Sequence, residues 1–177
     1  MRIGPRVLVV GTSGAGKSLL AARLARAVGA PHIELDEFKH GPNWTERSAA
    51  ELRERTAAAI AGCDAWVVDG NYADVRDIVW PRATTLVWLD YPRPVVMGRV
   101  VRRSVVRAVT RRELWNGNRS DWRRWGHPDH PIRWAWRTHA SNRERYERLV
   151  ALPEWSHLQV MRLRRPAEAK ALLSFAG

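Results

Sequence analysis

The sequence predicts an α/β protein in which a five-stranded parallel sheet carries helices on both faces. Three observations predict it. Short apolar runs alternate with longer stretches of helical periodicity along nearly the whole chain, as successive strand–helix–strand units require. The apolar runs end on glycine or aspartate: Val7–Val10 meets Gly11, the run from His32 meets Asp36, Ala65–Val68 meets Asp69, and Thr84–Leu89 meets Asp90. The first run also leads through Gly11-Thr12-Ser13-Gly14-Ala15-Gly16-Lys17-Ser18 straight into a helix-forming segment. That strand–loop–helix order is the setting of a Walker A phosphate loop.

Arg6–Val10 reads as a buried strand because its body is continuously apolar. Leu19, Leu20, Leu24 and Val28 recur at helical spacing, and Gly29 stops that helix. His32–Leu35 reads as a second strand ending at Asp36, and Gly41-Pro42-Asn43 as a turn. Thr45 is placed to cap a helix over Glu46–Ala61, which Gly62 ends. Ala65–Val68 and Thr84–Leu89 are the third and fourth strands, with a short helical piece, Ala73–Trp80, between them. Pro94 opens a long helix carrying Arg99, Arg102, Arg103 and Arg107. Pro131 opens another, to about Leu152. His157–Leu163 supplies a fifth strand and Pro166–Phe175 a final helix.

The loop carries the chemistry. Glycines let backbone N–H groups turn inward around an anion without a Cβ clash. The following helix points its positive end at the same anion. Lys17 supplies a point charge for the β- and γ-phosphates of a nucleotide, and the Ser18 hydroxyl suits Mg²⁺. Gly11 to Ser18, with Leu19, are therefore the expected ATP-binding residues, and the expected fold is the three-layer P-loop NTPase fold. Ligands of such sheets gather at the carboxyl ends of the strands, where Gly11, Asp36 and Asp69 all fall. A hard cation beside the phosphates wants oxygen ligands, so Asp69 joins Ser18 as a metal candidate. Asp69-Gly70 also suits a turn, and Asp36 also suits a cap for the segment after it.

At 177 residues the chain reads as one domain over residues 1–177, with an insertion at about 108–130. Cys63 is the only cysteine, which excludes an internal disulfide and fits a reducing cytosol; it reads as a structural thiol. No apolar run approaches the roughly 20 residues of a membrane span, and no signal peptide is legible. A cytoplasmic monomer or homodimer with no membrane partner is expected. The formal charge is +12, and of thirty basic residues all but Lys17, Lys39 and Lys170 are arginine. Fifteen arginines fall between Arg93 and Arg148, and five of ten tryptophans between Trp115 and Trp136. Such a segment suits the phosphates of a small molecule or of nucleic acid.

Gly11–Ser18, Leu35-Asp36 with Trp44 soon after, Val67-Val68-Asp69-Gly70-Asn71-Tyr72, Leu89-Asp90 before the arginine helix, and Glu113–Arg119 together resemble small P-loop kinases of the adenylate-kinase and shikimate-kinase type. Within that group the chain resembles the bacterial DNA topology modulation, or FlaR-like, proteins. The resemblance implies an ATP- and Mg²⁺-dependent kinase of a small acceptor: a nucleotide, nucleoside or other hydroxylated metabolite. It implies that Asp69 sits beside the metal, that Asp36 orients the acceptor hydroxyl, and that Asn71 and Tyr72 face the acceptor. It also implies that Arg99 and Arg103 contact the nucleotide, and that residues 111–130 form a lid whose Arg119, Arg123 and Arg124 close over the transferred group. Arg99, Arg103 and Arg107 equally suit a solvated basic face. Trp115, Trp122 and Trp125 are expected to pack, against a closed lid or as a small satellite core. In place of the Tyr-Pro-Arg or Phe-Pro-Arg of adenylate kinases the chain has Asn71-Tyr72 with Arg76 further on, so Arg76 is the substitute candidate. The rival reading, from the basic segment, is a nucleic-acid-binding NTPase or regulator affecting DNA topology.

Overall fold

Apolar runs become strands here because a parallel sheet is buried on both faces. The structure is a computed structural model that describes residues 3–110, 115–118 and 130–176. The strands are β1 (Arg6–Gly11), β2 (His32–Glu34), β3 (Trp66–Asp69), β4 (Thr85–Leu89) and β5 (Gln159–Leu163). The helices are α1 (Lys17–Val28), α2 (Leu35–Lys39), α3 (Ala49–Ile60), α4 (Arg76–Val79), α5 (Arg93–Thr110), α6 (Pro131–Val150) and α7 (Pro166–Ala176). The sheet order is β2-β3-β1-β4-β5, and every pairing is parallel.

Alternation along β1 builds the two halves of the core, since successive side chains leave opposite faces of a strand. Leu8 and Val10 join Leu52, Ile60, Trp66 and Tyr146 on one face. Val7 and Val9 join Leu20, Leu24, Val96 and Val100 on the other. The second face therefore carries α1 and α5, which brings the phosphate loop and the arginine helix together.

Two expectations change. The second strand stops at Glu34, and Asp36 stands in the first turn of α2 rather than at a strand end. Leu35 is buried against Gly70, where a Cβ would come within 2.8 Å of it, and the chain turns into helix at that contact. The cap of α3 is Ser48, not Thr45. Ser48 and Glu51 form a reciprocal capping box, whereas the Thr45 hydroxyl donates to the Pro42 carbonyl at 2.8 Å. Trp134 and Trp136 are 49 % and 55 % exposed on α6; the buried tryptophans are Trp66, Trp80, Trp88 and Trp155. Trp122, Trp125 and the Trp115 side chain lie outside the described residues. Cys63 is half-buried, its thiol 3.6 Å from the Ala59 carbonyl. Among the described residues no helix is long and apolar enough to cross a membrane.

Replacing Ser48 by Ala removes one side of the capping box and is expected to cost about 1 kcal/mol in urea denaturation. Thr45→Ala, outside the cap, is expected to cost less; the reverse order would restore the longer helix.

Candidate active site

The phosphate loop begins where β1 runs out of side chain. Gly11 has φ 148°, and a Cβ there would lie 2.7 Å from the Leu89 carbonyl oxygen, so the close approach of β1 and β4 requires glycine. Gly14 (φ 85°) faces Val100 of α5, which leaves no room for a side chain. Gly16 (φ 97°) leads into α1, and no side chain caps that helix. Its first N–H groups are thus left for an anion.

Lys17 Nζ donates to the carbonyls of Gly11 and Thr12 at 3.0 and 3.5 Å. Burial pushes its ammonium below the ordinary lysine value and Arg103 adds to that, while Asp36, Asp69 and Glu34 pull the other way. Ser18 Oγ donates to Glu34 Oε1 at 2.6 Å and lies 3.4 Å from Asp69 Oδ1. Glu34 and Asp69 are register partners on β2 and β3, so both carboxylates end on the same side of the sheet. Asp69 is 1 % exposed, and its Oδ2 lies 3.0 Å from His32 Nε2. Burial opposes the charge on His32, but the hydrogen bond and charge of Asp69, with Glu34 and Glu37 behind it, raise its pKa above the ordinary histidine value. A hydroxyl and two carboxylates converging in this way form a hard, all-oxygen donor set, which fits Mg²⁺ shared with phosphate oxygens.

Asp36 accepts a hydrogen bond from the Tyr72 hydroxyl at 2.7 Å. Burial pushes that phenol well above its ordinary value, and the Asp36 charge adds to it, so Tyr72 stays the donor. Arg103 Nη2 donates to Ser13 Oγ at 3.3 Å; burial lowers its pKa against the pull of Asp36. Arg99 Nη1 donates to the Ala15 carbonyl at 2.6 Å, and its guanidinium lies over the Tyr91 ring, 5.0 Å from the centroid. Thr12, at the foot of the loop, accepts from the Ala15 N–H through its carbonyl at 3.0 Å.

Lys17, Ser18, Glu34, Asp36, Arg99 and Arg103 border one cleft of about 1060 Å³. Of the residues expected from sequence, Ser13 to Leu19, Asp36, Arg99 and Arg103 line it; Gly11, Thr12 and Asp69 sit behind its wall. Arg102 and Arg107 line it too. Arg119, Arg123 and Arg124 lie outside the described residues. Asn71 does not line this cleft. Its amide donates to the Gly11 carbonyl at 2.6 Å, and its oxygen accepts from the Gly11 N–H at 3.3 Å and from the Tyr146 hydroxyl at 2.9 Å. Tyr72 reaches the cleft only through Asp36. Arg76 stacks on Trp80 at 5.8 Å and lines a separate small cavity, so it takes no place in the main cleft. Sequence reasoning missed Glu34 and His32. The available signal was their two-residue spacing along a strand, which sends both to one face.

A further pair of residues shapes the wall beyond α2. Asn116 donates to the carbonyls of Glu37 and His40. Buried Asn118 accepts from the Trp44 N–H at 2.7 Å and donates to the Gly41 carbonyl at 2.9 Å.

No protein family and no curated protein matches the sequence. Solved structures do match the fold. A shikimate kinase from Acinetobacter baumannii, solved with shikimate, is 19 % identical with a TM-score of 0.57, over 97 % of this chain and 90 % of that one. An unliganded sugar kinase from a Janibacter species is 18 % identical with a TM-score of 0.50, over 98 % and 92 %. A protein from Chloroflexus aurantiacus described as a kinase is 15 % identical with a TM-score of 0.50, over 98 % and 97 %. The chain thus has the three-layer α/β fold of P-loop kinases. At these identities the likenesses carry the fold alone, and they lend no support to a special closeness to DNA topology modulation proteins.

Because folding raises the His32 pKa, the His32–Asp69 pair stabilises the protein fully below the ordinary histidine value of about 6.5. That contribution is lost as pH rises through the higher folded value. Denaturation of His32→Gln at a series of pH values is expected to show its largest deficit on the acid side, shrinking toward alkaline pH. A deficit that grows with pH would show that His32 folds in its neutral form.

Proposed function

We propose that the chain is an ATP- and Mg²⁺-dependent phosphotransferase that moves the γ-phosphoryl group of ATP to a hydroxyl of a small acceptor, such as a nucleotide, nucleoside or other hydroxylated metabolite. The observation that carries this reading is the meeting of Lys17, Ser18, Glu34 and Asp36 in one cleft behind an uncapped helix N-terminus. The loop amides and Lys17 hold the terminal phosphates. Ser18, Glu34 and Asp69 would hold Mg²⁺, directly or through water, and the ion would supply neutralisation of phosphate charge. Asp36 orients the acceptor hydroxyl. The acceptor oxygen forms its bond to the γ-phosphorus as the bond to the β–γ bridging oxygen breaks, and the hydroxyl proton passes to Asp36. Arg103, beside Ser13, offsets charge on the transferred group, a role that the family resemblance extends to Arg119. Arg99, Arg102, Arg103 and Arg107 all line this cleft, which favours a small phosphorylated ligand over nucleic acid as their partner.

The test is ATP consumption with Mg²⁺ and a panel of nucleoside monophosphates, nucleosides, sugar acids, aminoglycosides and double-stranded DNA. Transfer to one small acceptor is expected. Lys17→Ala should abolish it and weaken ATP binding. Asp36→Asn should lower kcat on the order of a hundredfold or more while leaving ATP affinity near that of the parent. A Lys17→Ala protein with full affinity and transfer would sink the reading, and stimulation by DNA alone, lost as salt rises, would replace it.

A further inference from the structure

Helix α5 presents successive residues to successive positions of the phosphate loop. Val100 closes on Gly14, Arg103 reaches the Ser13 hydroxyl, and Arg99 reaches the Ala15 carbonyl. The Arg99 contact differs in kind from the Arg103 contact, because it engages the loop's backbone. It is charge-assisted and short, at 2.6 Å, and Ala15 is fully buried. The guanidinium is fixed from behind as well. It lies over the ring of Tyr91, which is 1 % exposed. The Tyr91 carbonyl is in turn held by buried His139, whose Nε2 lies 2.9 Å away.

We infer that Arg99 is a positioning residue for the phosphate loop, acting through the Ala15 peptide. The physical link is the planarity of the peptide bond. In a trans peptide the C=O of one residue and the N–H of the next point in opposite directions. Holding the Ala15 carbonyl toward α5 therefore fixes the direction of the Gly16 N–H. Gly16 alone has no side chain to constrain that plane, and its φ of 97° lies where glycine moves freely. The adjacent cation also draws off the carbonyl's partial negative charge, which would otherwise oppose an incoming phosphate. Tyr91 serves as the platform that keeps the planar fork in register, a geometry a lysine ammonium does not reproduce.

This inference rests on the cleft being a nucleotide site, and the experiment separates the two. Dissociation constants of Mg·ATP and Mg·tripolyphosphate, which has no base, are measured for the parent and for Arg99→Met, Arg99→Lys, Tyr91→Leu and Tyr91→Phe. Melting temperatures are recorded alongside. Arg99→Met is expected to weaken both ligands by the same factor, on the order of 10- to 100-fold, as for a lost hydrogen bond to a charged group. Arg99→Lys should recover part of that loss, because it still donates to Ala15. Tyr91→Leu keeps every charge yet should weaken both ligands equally, and its effect should not add to that of Arg99→Met. Tyr91→Phe keeps the ring but loses the hydroxyl beside Arg99, so it should weaken both ligands less than Tyr91→Leu does; should the leucine variant fail to fold, the equal or unequal loss of the two ligands in Arg99→Met carries the test. Loss confined to ATP would assign Arg99 to the base and overturn the inference. So would an unaffected Tyr91→Leu, which would leave only through-space attraction. A parent protein that binds neither ligand would overturn the nucleotide-site reading itself.

Discussion

Gly11 spends both of its backbone groups at the mouth of the site. Its N–H and C=O are taken by the two ends of one side-chain amide, Asn71, and Lys17 shares the carbonyl. Asn71 follows β3 by two residues and also receives the hydroxyl of Tyr146 from α6. One amide thus ties the end of β1, the exit of β3 and a helix from the far part of the chain. Elsewhere in the sheet the backbone ladder does this work, but β3 has ended at Asp69, so at the level of Gly11 no strand remains on that side to pair with. A buried backbone group left unmade costs on the order of 1–3 kcal/mol, so the position of the loop depends on Asn71 as much as on its own glycines.

The chemistry of the site follows from a second constraint, the register of β2 against β3. Pairing Glu34 with Asp69 sets two carboxylates side by side at the end of a buried sheet, where like charges repel. The surroundings offset this from three sides. His32 sits on Asp69, the Ser18 hydroxyl reaches both acids, and Lys17 lies within their field. Lys17 feels the same balance from the other side, its burial opposed by three carboxylates and reinforced by Arg103. Such a cluster holds charge in suspense. It favours a ligand that brings a divalent cation and phosphates together, since each then satisfies one half of the cluster.

Much of this was legible in the sequence, for identifiable reasons. The phosphate loop is contiguous, so its residue types and spacing specify it before any folding is known. The strands were legible because burial on both faces makes them continuously apolar. Glu34 and His32 were not, because their roles come from the register that pairs Glu34 with Asp69, 35 positions apart in sequence and brought together only by the sheet. The resemblance to small kinases places Asn71 at the acceptor; its use as a backbone clamp depends on Gly11 and Tyr146. The start of α3 was misplaced because Thr45 and Ser48 are both competent caps. Only Ser48 has Glu51 three residues on to complete the box, and that pattern was available.

Strain on the wall beyond α2 has a similar long-range origin. Asn43 and Trp44 adopt φ values of 56° and 57°, and Asn116 one of 55°. Asparagine enters this region at modest cost, but a bulky tryptophan does not, and such positions persist only where surroundings over-determine them. Here the surroundings are Asn118, whose buried amide grips the Trp44 N–H and the Gly41 carbonyl across 74 and 77 positions of sequence. Asn116 meanwhile engages the carbonyls at Glu37 and His40, where the helix carrying Asp36 ends. The turn after α5 therefore dictates the backbone on which Asp36 stands. A sequence that replaced either asparagine could keep every group of the phosphate loop and still misplace the Asp36 carboxylate.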